Sequence, residues 1–334
     1  NSCSKSKQMD FLFSHIRKYG FPPKLLIIAM LVFSYGCRDN VDTVVVDFTK
    51  TIAVTRPGDQ ETAKRPVFRV AVGAMISPKE TFVYYGELLD YIGRKLGLNI
   101  QLIQRKTYGE INELLGKGEI DLAFICSGPY AAGKEKYGLE LLATPVVQGS
   151  HFYHSYLIVN KESAIHGLED LKGKVFAFTD PDSNSGKLVP TYWLAQLGET
   201  PETFFEKTIY TYSHDNSILA VAKALVDGAA VDSLIWEYYH HKDPGFTSKT
   251  RIIRKSEPYG IPPVVASRYL PRVLKKRTRE LLLSMHRDFE GQKVIKDLMI
   301  DRFIDPQEEW YDRIRLMEQK TASLEKKTHA SAKP

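Results

Sequence analysis

The chain has 334 residues, 43% hydrophobic and 26% charged, which is the balance of a folded globular protein long enough for two lobes. Its formal net charge of +6 would suit a nucleic-acid partner, but five basic residues against one acidic residue within 1–24 supply +4 of it, leaving +2 from Cys37 onward. A nearly balanced body gives no electrostatic argument for nucleic acid.

The amino end reads as an export leader. Basic residues up to Lys24 precede the uncharged run Leu25 to Gly36. That run is too short for a bilayer span of about 20 residues but suits a signal-peptide core. It ends in Ser34-Tyr35-Gly36-Cys37, and a Cys after a small residue resembles a bacterial lipoprotein signal, although Ser34 and Tyr35 depart from the usual pattern. Residues 1–37 are therefore expected to be a lipoprotein signal peptide with Cys37 lipidated, Met9 offering a more ordinary start. With Cys3 removed and Cys37 acylated, Cys126 stands alone and no disulfide framework forms. Residues 38–65, polar and containing Pro57 and Gly58, read as a flexible linker.

At Pro66 the pattern changes. "VFRVAVGA" predicts a strand, and Leu88, Leu89, Ile92 and Leu96 recur at helical spacing after it. "NIQLIQRK" is a second strand, "YGEINELLGKGEI" a short helix, and "DLAFICSG" a third strand apolar enough to be buried on both faces. This βαβαβ order implies a parallel sheet flanked by helices. A long strand-like run, "HFYHSYLIVNK", follows, then a second and shorter α/β unit from "KVFAFTD" to "AAVDSLI". Strand and turn character continues through "TRIIRKSEPYGIPPVVAS", and the remainder to about Met317 reads as helical. A Lys-, Ala- and Ser-rich tail over 319–334 is expected to be disordered.

Enzyme motifs do not occur: there is no P-loop, no GxSxG, no HExxH and no zinc-spaced Cys pair. His151 and His154, three apart on a strand, face opposite ways and make a poor metal pair, and His240-His241 reads as a solvated surface. No metal and no cofactor is expected.

In open α/β sheets ligands sit beyond the carboxyl ends of strands. That rule selects Tyr108, the group Ser127-Gly128-Pro129-Tyr130, the loop Ser183-Asn184-Ser185-Gly186, the group Ser213-His214-Asp215, and Asp232. Singly, the serines could be helix caps and the tyrosines packing. Together they form a largely uncharged, hydroxyl-rich set, the chemistry that holds an oxyanion by neutral donors at a helix start.

The order of these motifs resembles the phosphate/phosphite/phosphonate-binding proteins of ABC transporters. It runs through Ile120 to Tyr130, Tyr153 to Ser163, Leu168 to Gly186 with "DPDSNSG", "SHD" at Ser213 to Asp215, and Gly228 to Asp232. The resemblance implies an α/β, two-lobed type II periplasmic-binding fold, each lobe a mostly parallel sheet flanked by helices, with ligand in the interlobe cleft. Residues 66–160 and 250–318 would form one lobe and 161–249 the other, with "YHSYLIVNK" and the segment Ile252 to Ser256 crossing between them.

By the same resemblance, Ser183, Asn184 and Ser185 would grip the phosphorus oxygens. Asn184 replaces a family Thr, but its amide also donates. Tyr108 and Tyr153 would close over the ligand and His214 would face it, making affinity pH-dependent between about pH 5 and 8. Glu237 could match an acidic residue that holds a ligand amine in some members, but prolines in "SEPYGIPPVV" stand where another is expected, so phosphate, phosphite or a simple alkylphosphonate fits better. The implied protein is a monomeric, lipid-anchored extracytoplasmic carrier, in the periplasm or cell envelope, that hands a small oxyanion to a transporter permease. The alternatives are a sensory module of the same fold and, least supported by motifs, a periplasmic enzyme.

Overall fold

The computed structural model describes residues 52–53, 65–73 and 77–331. The expected leader with Cys37, nearly all of the expected linker and residues 332–334 lie outside them. From the amino side come β1 (Ile52–Ala53), β2 (Val67–Val72), α1 (Pro78–Leu96), β3 (Asn99–Ile103), α2 (Tyr108–Lys117), β4 (Leu122–Phe124), α3 (Ser127–Tyr137) and β5 (Glu140–Val146). Proline in the first turn starts α1, where its missing N–H costs nothing. The predicted stripe Leu88, Leu89, Ile92 and Leu96 is buried in one core with Phe68, Leu102 and Leu122 of the sheet. A capping box starts α2: Thr107 accepts from the Glu110 N–H while the Glu110 carboxylate accepts from the Thr107 N–H.

The chain then passes through β6 (Phe152–Tyr153), β7 (Ser155–Asn160), β8 (Val175–Phe178), a π-helical turn at Asn184–Leu188, α4 (Val189–Gln196), β9 (Lys207–Tyr210), α5 (His214–Ala222), β10 (Gly228–Asp232), α6 (Ser233–Lys242) and β11 (Thr250–Lys255). It returns by β12 (Tyr259–Gly260), β13 (Val264–Ala266), α7 (Arg272–Ser284), α8 (Phe289–Asp297), β14 (Arg302–Ile304) and α9 (Asp312–Ser331). No described helix is long and apolar enough to cross a membrane.

Two sheets organise these elements, in the orders β1-β3-β2-β4-β13-β5-β14 and β11-β7-β10-β8-β9. The α/β, two-lobed expectation holds, but "mostly parallel" does not. In the first sheet β2 runs parallel to β3 and β4, whereas β1, β13 and β14 pair antiparallel. In the second, β8 is parallel to β9 and β10, whereas β7 is antiparallel to β10 and β11. The cause is the crossing itself. A strand of a βαβ unit ends at the cleft, but β7 and β13 are entered from the other lobe and so begin there.

The expected lobe boundaries also shift. β7 and β11, placed by sequence in the first lobe as crossing strands, pair with one another inside the second sheet, Thr250 opposite Asn160. The crossing pair is β6 with β12, Tyr153 opposite Tyr259 and Phe152 opposite Gly260. At the carboxyl end, the expected disorder from Gln319 gives way to helix through Ser331. Buried Thr321 anchors this stretch, and its hydroxyl donates to the Met317 carbonyl at 2.8 Å.

Candidate functional site

The site forms where β3, β4, β8, β9 and β10 end. Each strand delivers its last residues to the space between the sheets, and short loops turn back into helices whose first residues face the same way. All the strand-end candidates with side chains, from Tyr108 through Asp232, are buried, except Asp215, which is intermediate.

The loop after β8 is fixed from both sides. Ser183 Oγ accepts from the Gly186 N–H at 3.0 Å, so Ser183 is a cap, the bland reading of that serine. Gly186 itself is required by space: a Cβ there would meet Thr179 Oγ1 at 2.4 Å. Ser155, at the start of β7, donates to the Ser185 carbonyl at 2.7 Å, and Ser185 Oγ is buried and without a partner. Asn184 donates from Nδ2 to the Tyr153 hydroxyl at 2.9 Å, and its Oδ1 is likewise buried and unpaired. Lys187, the nearest cation in sequence, has its ammonium over the Phe178 ring at 4.0 Å.

His214 and Asp232 form a second pair. The Asp232 N–H donates to His214 Nδ1 at 3.1 Å, and Thr179 Oγ1 lies 3.1 Å from the same nitrogen. Burial pushes the His214 pKa down to about 3. The ring is therefore neutral, and because Nδ1 accepts, the proton resides on Nε2, which is buried and unpaired. This corrects the expectation that His214 titrates between pH 5 and 8. Two carboxyls of the site titrate in that range instead: Asp180, raised to about 6, and Asp232, whose carboxyl burial pushes up to about 7, against the lowering effect of the Leu234 and Ile235 N–H groups. Its Oδ1 caps α6 by accepting from the Leu234 N–H at 2.7 Å, and its Oδ2 has no partner.

Contacts across the lobes hold the arrangement shut. The Tyr108 N–H donates to Asp180 Oδ2 at 3.2 Å, and the Ser77 N–H donates to Asp215 Oδ1 at 2.9 Å. Gly128, in the first turn of α3, lies so close to the loop after β8 that a Cβ would stand 2.5 Å from the Asp182 carbonyl oxygen and 2.8 Å from the Asn184 nitrogen. Ser127 donates to the Gly260 carbonyl at 2.7 Å, tying α3 to the crossing strands. Burial raises the Tyr108 and Tyr153 phenols well above their usual range, so both remain neutral, and the Tyr108 hydroxyl is unpaired. Burial also pushes the Cys126 thiol up to about 12, which makes it an inert packing residue.

One candidate falls elsewhere. Tyr130 sends its hydroxyl to Glu308 Oε2 at 2.5 Å and packs edge-on against Tyr311, ring centroids 4.7 Å apart. It belongs to a buried cluster beneath α3 and serves stability. Three residues that the strand-end rule omitted belong to the site instead. Ser155 positions Ser185, Thr179 contacts His214, and Asp180 joins the lobes, its carboxyl raised by burial to about 6. Asp180 had a visible signal in "DPDSNSG"; Ser155 had none, because it sits at the start of a strand.

What remains unpaired defines the chemistry. The Tyr108 hydroxyl, Asn184 Oδ1, Ser185 Oγ, His214 Nε2 and Asp232 Oδ2 are all buried without a partner. Leaving such atoms unmade costs about 1–3 kcal/mol each, so their gathering calls for a polar occupant. Neutral donors predominate, and the carboxyl that accompanies them can hold a proton near pH 7.

Comparisons with known proteins bear on the family and the fold. The chain is 31% identical over 164 residues to the phosphate-import protein PhnD of Mycolicibacterium smegmatis, covering 45% of this chain and 50% of the relative. It is 26% identical over 210 residues to the phosphonates-binding periplasmic protein of Escherichia coli, covering 61% and 62%. The matched segments thus span half to three fifths of these curated relatives. Among solved structures, a binding-protein component of an ABC phosphonate transporter from Pseudomonas aeruginosa matches with a TM-score of 0.69 at 23% identity, over 80% of this chain and 99% of that one. PhnD1 of Prochlorococcus marinus, solved with methylphosphonate, matches with a TM-score of 0.68 at 20% identity, over 76% and 97%. Both establish the shared fold. A family model described as ABC transporter, phosphonate, periplasmic substrate-binding protein matches residues 70–311, and the chain belongs to that family.

Proposed function

We propose that this protein captures a phosphorus oxyanion outside the cytoplasmic membrane, whether phosphonate, phosphite or phosphate, and delivers it to the permease of an ABC transporter. The observation that carries the reading is the set of five buried, unpaired polar atoms between the lobes. Ser185 Oγ, Tyr108 OH and His214 Nε2 are donors that bring no counter-charge. Each contributes roughly 0.5–1.5 kcal/mol to a neutral acceptor and about 1.5–3 to a charged one. Asp232 shares one proton with the ligand: either its carboxyl donates Oδ2–H to the oxyanion, or its carboxylate accepts from a P–O–H. Relatives named for phosphate import, phosphonates binding and phosphite binding support a phosphorus oxyanion as the ligand.

Hinge closure about β6 and β12 converts binding into a shape that a membrane partner can read. A lipid at Cys37 would keep the monomeric carrier beside that partner; Cys37 lies outside the described residues. The test is calorimetry with phosphite, phosphate, methylphosphonate and sulfate at pH 6.5 and 8. Binding of at least one phosphorus ligand, with sulfate rejected at pH 8 for want of a proton to share, is expected. Heat from sulfate alone, or from none of the four, refutes the reading.

A further inference from the structure

We propose that the preferred ligand carries a bulky alkylated ammonium group, so that it is a zwitterion whose cation occupies a cavity beside the oxyanion donors. The inference rests on the oxyanion reading above and specifies the other half of the ligand. The cavity measures about 300 Å³ and adjoins the polar cluster through Asp232 and Tyr153, which line both. That volume reaches the scale of pockets for whole small organic ligands, roughly 300–1,000 Å³, and far exceeds what the oxygen of phosphate or the methyl of methylphosphonate would fill.

The walls are aromatic and come from both lobes. Tyr84 and Tyr85 of α1 line it with Tyr156 of β7 and Tyr238 of α6. The Tyr84 and Tyr238 rings meet across the cleft, centroids 5.1 Å apart and nearly perpendicular. Two carboxyl side chains, Asp232 and Glu237, line the same space, and no Lys or Arg does among the described residues. Its histidine, His154, has Nδ1 engaged with the Ser256 carbonyl at 2.7 Å. Tyr156 already carries the Lys255 ammonium over its ring at 4.8 Å, which shows that these faces take a cation; Tyr84, Tyr85 and Tyr238, with carboxyls beside them, offer the remaining faces to a positive charge. A primary ammonium brings three N–H donors, each needing an acceptor, but Glu237 Oε1 already accepts from the Tyr156 hydroxyl at 3.0 Å and Asp232 Oδ1 from the Leu234 N–H. A trimethylammonium-like group needs only faces and negative potential. The prolines of "SEPYGIPPVV" thus do not argue against a cation, because tyrosines supply what a further carboxylate would.

The test is calorimetry on the intact protein with phosphocholine, its cation-free isostere 3,3-dimethylbutyl phosphate, 2-aminoethylphosphonate, methylphosphonate and choline. Phosphocholine is expected to bind at least about tenfold tighter than the isostere and methylphosphonate, with choline alone too weak to detect. An isostere that binds equally well shows a cavity selecting size and overturns the proposal. So does tighter binding of 2-aminoethylphosphonate, which would mark a primary-amine site. Methylphosphonate as the tightest ligand overturns it while leaving the oxyanion reading intact, and silence from every phosphorus compound removes that reading itself. Glu237→Gln and Tyr84→Leu should each weaken phosphocholine about five- to tenfold and leave methylphosphonate unchanged. Equal losses for both ligands would contradict the assignment of these side chains to the cation.

Discussion

The backbone N–H of Asp232 donates to Nδ1 of His214 at 3.1 Å, and this one bond decides which face of the imidazole can meet a ligand. An amide nitrogen has no lone pair to offer, so Nδ1 must accept and Nε2 must carry the proton. With burial holding the pKa near 3, the ring stays neutral at every physiological pH. Nitrogen NMR should therefore show one protonated ring nitrogen, Nε2, and no titration of His214 between pH 5 and 8. A midpoint near 6.5 would contradict it.

Asp232, the higher-titrating of the two buried site carboxyls, carries the pH dependence around neutrality. Its folded pKa, about 7, lies above the ordinary value of 3.8, so the folded state holds a proton that the unfolded chain has released. Stability from this group is fully present below pH 3.8 and is lost as pH rises towards 7. Asp232→Asn keeps the cap on α6 and removes the ionisation. The variant should gain stability over the parent between pH 4 and 7, reaching on the order of 2–4 kcal/mol at pH 8. Urea titrations at pH 4 and 8 read this directly, and an unchanged difference between the two would refute it. In the parent, phosphite affinity should fall above pH 7 as the shared proton is lost; in the variant that fall should be much smaller.

Gly128→Ala should block closure without unfolding the protein. Its Cβ would meet backbone atoms of Asp182 and Asn184 across the cleft at 2.5 and 2.8 Å, a clash that parting the lobes relieves. Oxyanion affinity should drop more than about tenfold, the cost of roughly 1.4 kcal/mol or more in closing. Small-angle scattering in saturating ligand should still show the open shape. Normal closure would refute the close approach.

Tyr130→Phe separates stability from binding. The variant loses the hydroxyl bonded to Glu308 and leaves that carboxylate to Lys134 and Arg315. A loss of about 1–2 kcal/mol in denaturant unfolding is expected, with calorimetric affinity for phosphite unchanged. A large loss of affinity would return Tyr130 to the site.

Much of this was legible in the residues. Strand periodicity and the rule that ligands sit beyond strand carboxyl ends picked out Tyr108, Ser127, the 183–186 loop, His214 and Asp232, which are buried around the same space. Tyr130 turns away from that space, and helical spacing does not say which way a ring swings once Glu308, distant in sequence, offers an acceptor. The pairing of β7 with β11 was hidden for the same reason: partners far apart in sequence leave no local trace. Nor could periodicity reveal that Ser183 Oγ accepts as a cap while Ser185 Oγ has no partner, since both are serines in one loop. The shifted ionisations of His214 and Asp232 come from complete burial, which appears only when two lobes enclose them.

The most direct test is a crystal structure with methylphosphonate bound. The phosphorus oxygens should lie within about 3.2 Å of Ser185 Oγ, Tyr108 OH and His214 Nε2, with one oxygen against Asp232 Oδ2. An oxyanion bound elsewhere, with these four atoms still unpaired, would contradict the account.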